Sequence, residues 1–525
     1  MKSLLRVIRE FFWPGDITLR RRRFELSFWA FLLSLAYLPS PLGFVAWFAL
    51  ARPFAIINSL EGKDSFRAAY FYAFMSNLFQ LYWVAVVTPP GMIAAIFILS
   101  MYPAVILYAF NKLYRFKKSP GLVALPFLWV GMEYFRSLTQ IAFPWTDLGY
   151  SQGYYLTLIQ IISVVGVYGL SFALVVLNIL VWQLFSRSNR LEMRVSSAIA
   201  FIGIIVSIFL YGWVVFPPLQ VPGKYEVALL QGNVELDKKW SPESRDWNFT
   251  LYDSLAMVAA EDSVDLIIWP ETSAPSYPRL ERKYQQMLSI TAQNSGTPNL
   301  VGALDAVYHD DRERSYNAAF QFMPDGRLNG YYHKVKLVPF SERAPYQEYL
   351  PFLSRKFLGE YLDVIKTREV QWWSDFSPGD SIVVFSTGDA DYAVLICFEA
   401  AFPDYVRQCL LKGASFLVNI TNDTWFGQTA GPYQHMRLAV FRAVENRVWL
   451  ARCANSGITA IIDPFGRETE RAGLYVQRVV TGGLTPKDEF SVFTAIGPVV
   501  GQICWLLTII LLSILVAAWL WKKIR

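Results

Sequence analysis

Three side chains in this sequence have the types needed to break and remake an acyl bond. Cys397 ends the apolar run Val394-Leu-Ile-Cys-Phe-Glu399. Glu271 lies in Ile-Ile-Trp-Pro-Glu-Thr, and Lys334 in Tyr-Tyr-His-Lys-Val-Lys-Leu-Val-Pro-Phe. The thiolate is the nucleophile, so the thiol needs a base, and a partly buried carboxylate suits that task because burial raises its pKa. An ammonium beside the attacked carbonyl stabilises the oxyanion. The product is an acyl-thioester that a second nucleophile resolves, a route that calls for no metal and no cofactor. A lone cysteine at the end of an apolar strand reads as core. Two partners, each beside its own strand-like run, turn the reading toward catalysis.

Other chemistries find less support. The histidines are His309, His333 and His435, and the last sits on a helical stretch that reads as structural. There is no Cys-x-x-Cys and no histidine cluster to hold zinc. Cys397, Cys409, Cys453 and Cys504 are few and irregularly spaced, so no disulfide framework follows.

The elements that must position the three residues are short β-type runs. They include Tyr225-Glu-Val-Ala-Leu-Leu, Val264-Asp-Leu-Ile-Ile-Trp, Asn299-Leu-Val-Gly-Ala, Ser381-Ile-Val-Val-Phe, Tyr392-Ala-Val-Leu-Ile and Ser415-Phe-Leu-Val-Asn-Ile. Near-continuous apolar strands are buried on both faces, and helical patterns at 243–261, 281–294 and 432–449 fall between them. This alternation predicts an α/β sandwich across residues 218–490.

On either side of that stretch the composition changes. The 525 residues are 54% hydrophobic and 17% charged, the latter below the roughly 25% of soluble domains, which points to membrane. Apolar stretches lie near 25–38, 41–59, 68–88, 91–111, 121–135, 156–185, 196–217 and 499–521. They predict a membrane domain of about eight helices, seven in residues 1–217 and the eighth in 491–525. Basic residues mark alternate links: Arg20 to Arg23; Arg52, Lys63 and Arg67; Lys112, Arg115, Lys117 and Lys118; Arg187, Arg190 and Arg194; and Lys522, Lys523 and Arg525. The positive-inside rule then puts both termini in the cytoplasm and residues 218–490 outside, in a periplasm-like space. With the positives beside apolar spans, the net charge of +6 does not describe a nucleic-acid face. Glu133 lies within a span one helical turn from Arg136, and a local ion pair between them is expected.

Trp-Pro-Glu, then Lys-x-x-Leu-Val-Pro-Phe-x-Glu, then Cys-x-Glu resembles the Glu–Lys–Cys pattern of the nitrilase (carbon–nitrogen hydrolase) superfamily. One such domain among eight spans resembles its membrane-bound branch, the apolipoprotein N-acyltransferases. Phe143-Pro-Trp-Thr-Asp-Leu-Gly-Tyr-Ser-Gln152, Gly166-Val-Tyr-Gly-Leu-Ser-Phe172, Gln231-Gly-Asn233, Trp240 and Asn422-Asp-x-Trp-Phe-Gly427 resemble further segments of that family. The resemblance implies an αββα sandwich with Glu271 as base, Lys334 as oxyanion partner and Cys397 as nucleophile. Lys334 rather than Lys336 fits, because it stands eight residues before Glu342. Glu342 and Glu399 would support the site, and Asn233, Trp240, Trp425 and Phe426 would meet substrate. Phe398 replaces the tyrosine common in the family, so no hydroxyl is available there.

The resemblance further implies a phospholipid acyl donor, a diacylated lipoprotein acceptor, no cofactor, a monomer, and a place in the bacterial inner membrane. The aromatic-rich excursion at 345–375 is expected to be a lid that touches lipid. The residues alone leave two other readings open: a membrane-bound amidase or nitrilase acting on a small amide, and a non-catalytic membrane scaffold.

Overall fold

The computed structural model describes residues 10–12, 14–218, 223–240, 244–309, 312–353, 374–487 and 489–524. Strands occupy the stretch between the last N-terminal helix, Leu191–Val215, and the C-terminal helix Val499–Ile524. They form two six-stranded sheets. The first holds β1 (Tyr225–Gln231), β2 (Leu266–Ile268), β3 (Asn299–His309), β4 (Arg312–Phe322), β5 (Leu328–His333) and β12 (Arg478–Leu484), in the order β12-β1-β2-β3-β4-β5. The second holds β6 (Val384–Ser386), β7 (Asp391–Ile396), β8 (Phe416–Thr421), β9 (Leu450–Ala454), β10 (Thr459–Ile462) and β11 (Glu468–Ala472), in the order β11-β10-β9-β8-β7-β6.

The two sheets meet through Val227, Leu229, Ile268, Val394, Ile396, Val418 and Ile420. Helices Arg245–Ala260 and Arg282–Ser295 cover the outer face of the first sheet, where Phe249, Tyr252 and Leu288 join Leu230 and Trp269. Helices Pro403–Leu411 and Gly431–Asn446 cover the second. The expected αββα sandwich is therefore present. The central strands β1–β2–β3 and β7–β8–β9 run parallel and are apolar on both faces because each face is covered. Helix Gly431–Asn446 also packs on the N-terminal helices, so one apolar cluster runs from the sandwich into the bundle.

Among the described residues, four helices are long and apolar enough to cross a membrane: Gly91–Phe116, Ile162–Phe185, Leu191–Val215 and Val499–Ile524. The other four expected spans do not reach that length and hydropathy. Ile17–Leu35 opens on four arginines, and Gly62–Gln80 carries Lys63, Asp64 and Arg67. Lys118–Phe135, at 18 residues, is long enough but carries Lys118, Pro126 and Glu133, which lower its hydropathy. The stretch 41–59 breaks into a 3-10 turn, Gly43–Trp47, and a short helix, Ala51–Ser59. All four pack into the same bundle.

The expected pair of Glu133 with Arg136 is replaced by another. Arg136 pairs with Asp147, and both are buried. Glu133 instead accepts from Trp129 Nε1 at 2.9 Å and from the Leu148 backbone N–H at 2.8 Å. The partner lies eleven residues on because segment 143–150 turns back into the bundle, a fold that helical spacing does not reveal.

Candidate active site

Four strand ends converge at one edge of the sandwich. Glu271 follows β2, Lys334 follows β5, Cys397 follows β7 and Asn422 follows β8. The apolar runs of β2, β7 and β8 fix the backbone as it leaves the sheet, and β5, Leu-Asn-Gly-Tyr-Tyr-His, does so as a mixed strand at the sheet's edge. Gly302 in β3 makes the Glu271 turn possible. A Cβ there would stand 2.3 Å from the Pro270 carbonyl oxygen and 2.8 Å from the Glu271 Cα, so the turn is pressed against bare backbone.

Glu271 is almost fully buried and held on both oxygens. Asn317 Nδ2 donates to Oε1 at 2.7 Å, and the Asn422 backbone N–H donates to Oε2 at 2.9 Å. Lys239 donates to its carbonyl at 2.9 Å. Lys334 Nζ lies 2.8 Å from Glu342 Oε1 and 3.6 Å from Glu271 Oε1. Burial opposes its charge, yet Glu342 and then Glu271 hold its pKa above the ordinary lysine value. Glu342 also accepts from the Val338 backbone N–H at 2.8 Å and from Asn317 at 3.2 Å.

Cys397 opens a 3-10 turn, Cys397–Ala401, with its own backbone in the left-handed region at φ 52°. Such a conformation is costly for a residue with a Cβ and persists where the surroundings impose it. Glu399 is one cause. One of its oxygens accepts from Tyr332 Oη at 2.6 Å and from the backbone N–H groups of Val335 at 2.7 Å and Lys336 at 3.1 Å. The other accepts from the Ile396 backbone N–H at 2.7 Å. This carboxylate thus ties the cysteine turn to the chain leaving β5. His435, expected to be merely structural, lies 3.1 Å from the Cys397 carbonyl through Nε2 and 2.8 Å from Asp423 through Nδ1. Asp423 pairs in turn with the buried Arg452 at 2.8 Å. Burial pushes the Cys397 thiol up, Glu271 adds to the rise, and Lys334 opposes it. The resting sulfur is therefore a thiol, and its proton needs an acceptor.

A cavity of about 210 Å³ reaches this cluster. Its polar end holds Glu271, Asn317, Lys334, Glu342, Cys397 and Asn422. Its walls are Phe143, Trp145, Phe340, Phe376, Phe398, Trp425 and Phe426, and its apolar end is Val84, Val87, Met92, Ala95, Ile96 and Leu99. The apolar end belongs to the helices Val84–Val87 and Pro89–Phe116.

Of the residues singled out in the sequence, Glu271, Lys334, Glu342 and Cys397 come together, with Trp425 and Phe426 in the same cavity. Glu399 braces from behind. Asn233 is not brought to the cavity: its backbone N–H donates to the Asn455 carbonyl at 2.8 Å and its side chain to the Tyr475 carbonyl at 3.1 Å, which makes it a turn residue. The side chain of Trp240 and residues 354–373 of the expected lid lie outside the described residues, while Ser374 and Phe376 line the cavity. Sequence reasoning missed Asn317, Lys239, Trp83 and Gln434. Asn317 had a signal, an amide at the head of the apolar run Ala-Ala-Phe in a buried strand. Phe143 and Trp145 lie in a motif already noted, without a role.

Comparison with known proteins adds a second line of observation. Residues 226–488 match the carbon–nitrogen hydrolase family, and residues 29–180 match the apolipoprotein N-acyltransferase N-terminal domain. An apolipoprotein N-acyltransferase of Geobacter metallireducens is 34% identical over 495 residues, covering 90% of this chain and 91% of that one. One of Chlorobaculum tepidum is 31% identical over 491 residues, covering 88% and 89%. Among solved structures, an amidase from Nesterenkonia sp. is 16% identical with a TM-score of 0.35, covering 51% of this chain and 93% of that one.

Proposed function

Since the chain belongs to the apolipoprotein N-acyltransferase family, we propose that it moves an acyl chain from a membrane phospholipid to the N-terminal amine of a diacylglyceryl-cysteine, through a thioester on Cys397. The observation that carries this reading is the cavity itself. Its polar end holds a thiol, a carboxylate and an ammonium, and its apolar end is walled by a helix long enough to cross a membrane. A small soluble amide has no use for such a tail, whereas an acyl chain arriving from a bilayer does.

In the proposed reaction Glu271 takes the Cys397 proton as sulfur attacks the ester carbonyl. Lys334, held by Glu342, faces the oxyanion. The carbon–oxygen bond breaks, Glu271 returns the proton to the leaving alkoxide, and lysophospholipid departs. The lipoprotein amine then attacks the thioester, its proton passes to Glu271, and the collapsing intermediate releases sulfur, which recovers that proton as a thiol. The acyl chain ends as an amide. Asn317 and the Asn422 N–H keep Glu271 aimed through both half-reactions.

The same reading puts both termini in the cytoplasm and the sandwich on the periplasmic side of the inner membrane, as the basic links Arg20 to Arg23 and Lys522 to Arg525 favour. The test uses protein purified in detergent with acyl-labelled phospholipid. Wild type takes up hydroxylamine-sensitive label, Cys397→Ala takes up none, and a diacylated lipopeptide discharges the label into an amide. Equal label on Cys397→Ala, or discharge only to free fatty acid, refutes the proposal.

A further inference from the structure

Gln434 belongs to helix Gly431–Asn446 of the sandwich, yet its side chain is spent on the membrane half. Oε1 accepts from Trp83 Nε1 at 3.0 Å and from Trp145 Nε1 at 2.9 Å. Nε2 donates to the carbonyls of Tyr37 and Gln80, both at 3.3 Å. Two bonds accepted and two donated are the full capacity of an amide. One side chain thereby joins three separate segments of the helical bundle.

The two indoles it holds are walls of the catalytic cavity. Their centroids are 5.3 Å apart. Trp145 lies nearly parallel to Phe398, the neighbour of the nucleophile, at 6.1 Å and 15°. Trp83 meets Phe426 edge-on at 4.7 Å. Neither indole can turn without losing the bond from its N–H, and a buried indole N–H without a partner is costly. A continuous line of contacts thus leads from Phe398, next to Cys397 in the chain, to Trp145 and on to Trp83, which is followed in the chain by the aliphatic wall residues Val84 and Val87. The first carbons of a chain esterified to Cys397 face fixed aromatic surface, and later carbons face adaptable aliphatic side chains.

We propose that Gln434 is a positioning residue that sets acyl selectivity: by fixing Trp83 and Trp145 it makes the cavity reject chains branched near the carbonyl. This rests on the acyl-transfer reading above. A rigid apolar wall discriminates one extra methyl by roughly 10- to 200-fold, and a wall free to rotate loses most of that.

The experiment measures thioester formation on the full-length protein in detergent. It compares a phospholipid carrying labelled hexadecanoyl chains with one whose chains bear a methyl on the third carbon. Wild type prefers the straight chain by at least about 10-fold. Gln434→Met, similar in length but with only a weak thioether acceptor in place of the amide, lowers that ratio to about 3 or less. Trp83→Phe removes the bond from the other side; it lowers the ratio in wild type and not further in Gln434→Met, which keeps the proposal testable if one variant fails to fold. A wild-type ratio near 1, or an unchanged ratio in variants that elute as wild type, overturns the inference. Absence of label on wild type from both lipids instead overturns the acyl-transfer reading.

Discussion

Lys334 sits closer to Glu342, at 2.8 Å, than to Glu271, at 3.6 Å. The buried ammonium is thus paired chiefly with Glu342, and Glu271 is its more distant carboxylate. A tight pair with Glu271 would instead hold that carboxylate on the ammonium and away from the cavity's thiol. Asn317 spaces the arrangement by donating to both carboxylates.

Glu342→Gln tests this division. The amide oxygen still meets the ammonium, but the charge is gone and Lys334 turns toward Glu271. Thioester formation is expected to fall about 10- to 100-fold, a barrier increase of about 1.4–2.7 kcal/mol. Single-turnover labelling from phospholipid reads it. A rate within about threefold of wild type would show that Glu342 does not partition the charge.

Glu271→Gln separates two properties that change in opposite directions. On the proposed reaction Glu271 is the base, a role worth on the order of 10²–10⁴ in rate, so thioester formation is expected to collapse. As a charge, Glu271 stands second to burial among the causes that raise the thiol pKa, and Lys334 opposes it. Removing the charge lets the pKa fall. At alkaline pH the variant's Cys397 should react faster with a small neutral alkylating agent than wild type does, even though catalysis is lost. Slower alkylation in the variant contradicts the electrostatic account.

Much of this cluster was legible because two of its residues, Glu271 and Cys397, come just after apolar strands. Cys397 and Glu271 follow runs that read as buried β, while Lys334 follows the mixed, partly exposed run Leu-Asn-Gly-Tyr-Tyr-His and was found through its spacing from Glu342. The sequence does not say which strand ends meet. β2 and β5 lie in one sheet and β7 in the other, so the cluster depends on sheet stacking. Asn317 and Lys239 were hidden for a related reason, since a polar residue on a strand or short helix ordinarily faces water and only the tertiary fold buries it. The count of eight spans is not matched by eight long apolar helices among the described residues, for a different reason. Hydropathy over 41–59 is continuous, while the backbone breaks at Gly43–Trp47 before the helix Ala51–Ser59 begins.

Glu399 carries a prediction about the turn rather than the reaction. Its oxygens accept from three backbone N–H groups and one phenol, and the side chain is sealed from solvent. Glu399→Gln must aim an NH₂ group at one of those donors, whichever way the amide is turned. The expected cost is about 2–4 kcal/mol, one buried donor left unmet plus weakened charge-assisted bonds. Thermal unfolding in detergent should shift downward, and hydroxylamine-sensitive labelling should fall with it, because the φ 52° turn at Cys397 loses its brace. Unchanged unfolding would show that the turn is held elsewhere.

Lys239 makes stability depend on pH. Burial lowers its pKa from 10.5 to about 7, with Glu271 acting in the opposite direction. Below about pH 7 the folded and unfolded states both carry the proton, and folding bears the full cost of the buried charge. Between about 7 and 10.5 the unfolded chain binds more protons than the native one, so stability rises with pH across that window. The gain over the whole window is on the order of 3–5 kcal/mol. Lys239→Met removes the group and with it this limb: its unfolding temperature, measured from mildly acidic to alkaline buffer, should exceed wild type most at the acidic end, the two curves converging as pH approaches 10.5. Parallel curves would mean that the lysine remains charged in the native state throughout, and that its bond to the Glu271 carbonyl is made by an ammonium.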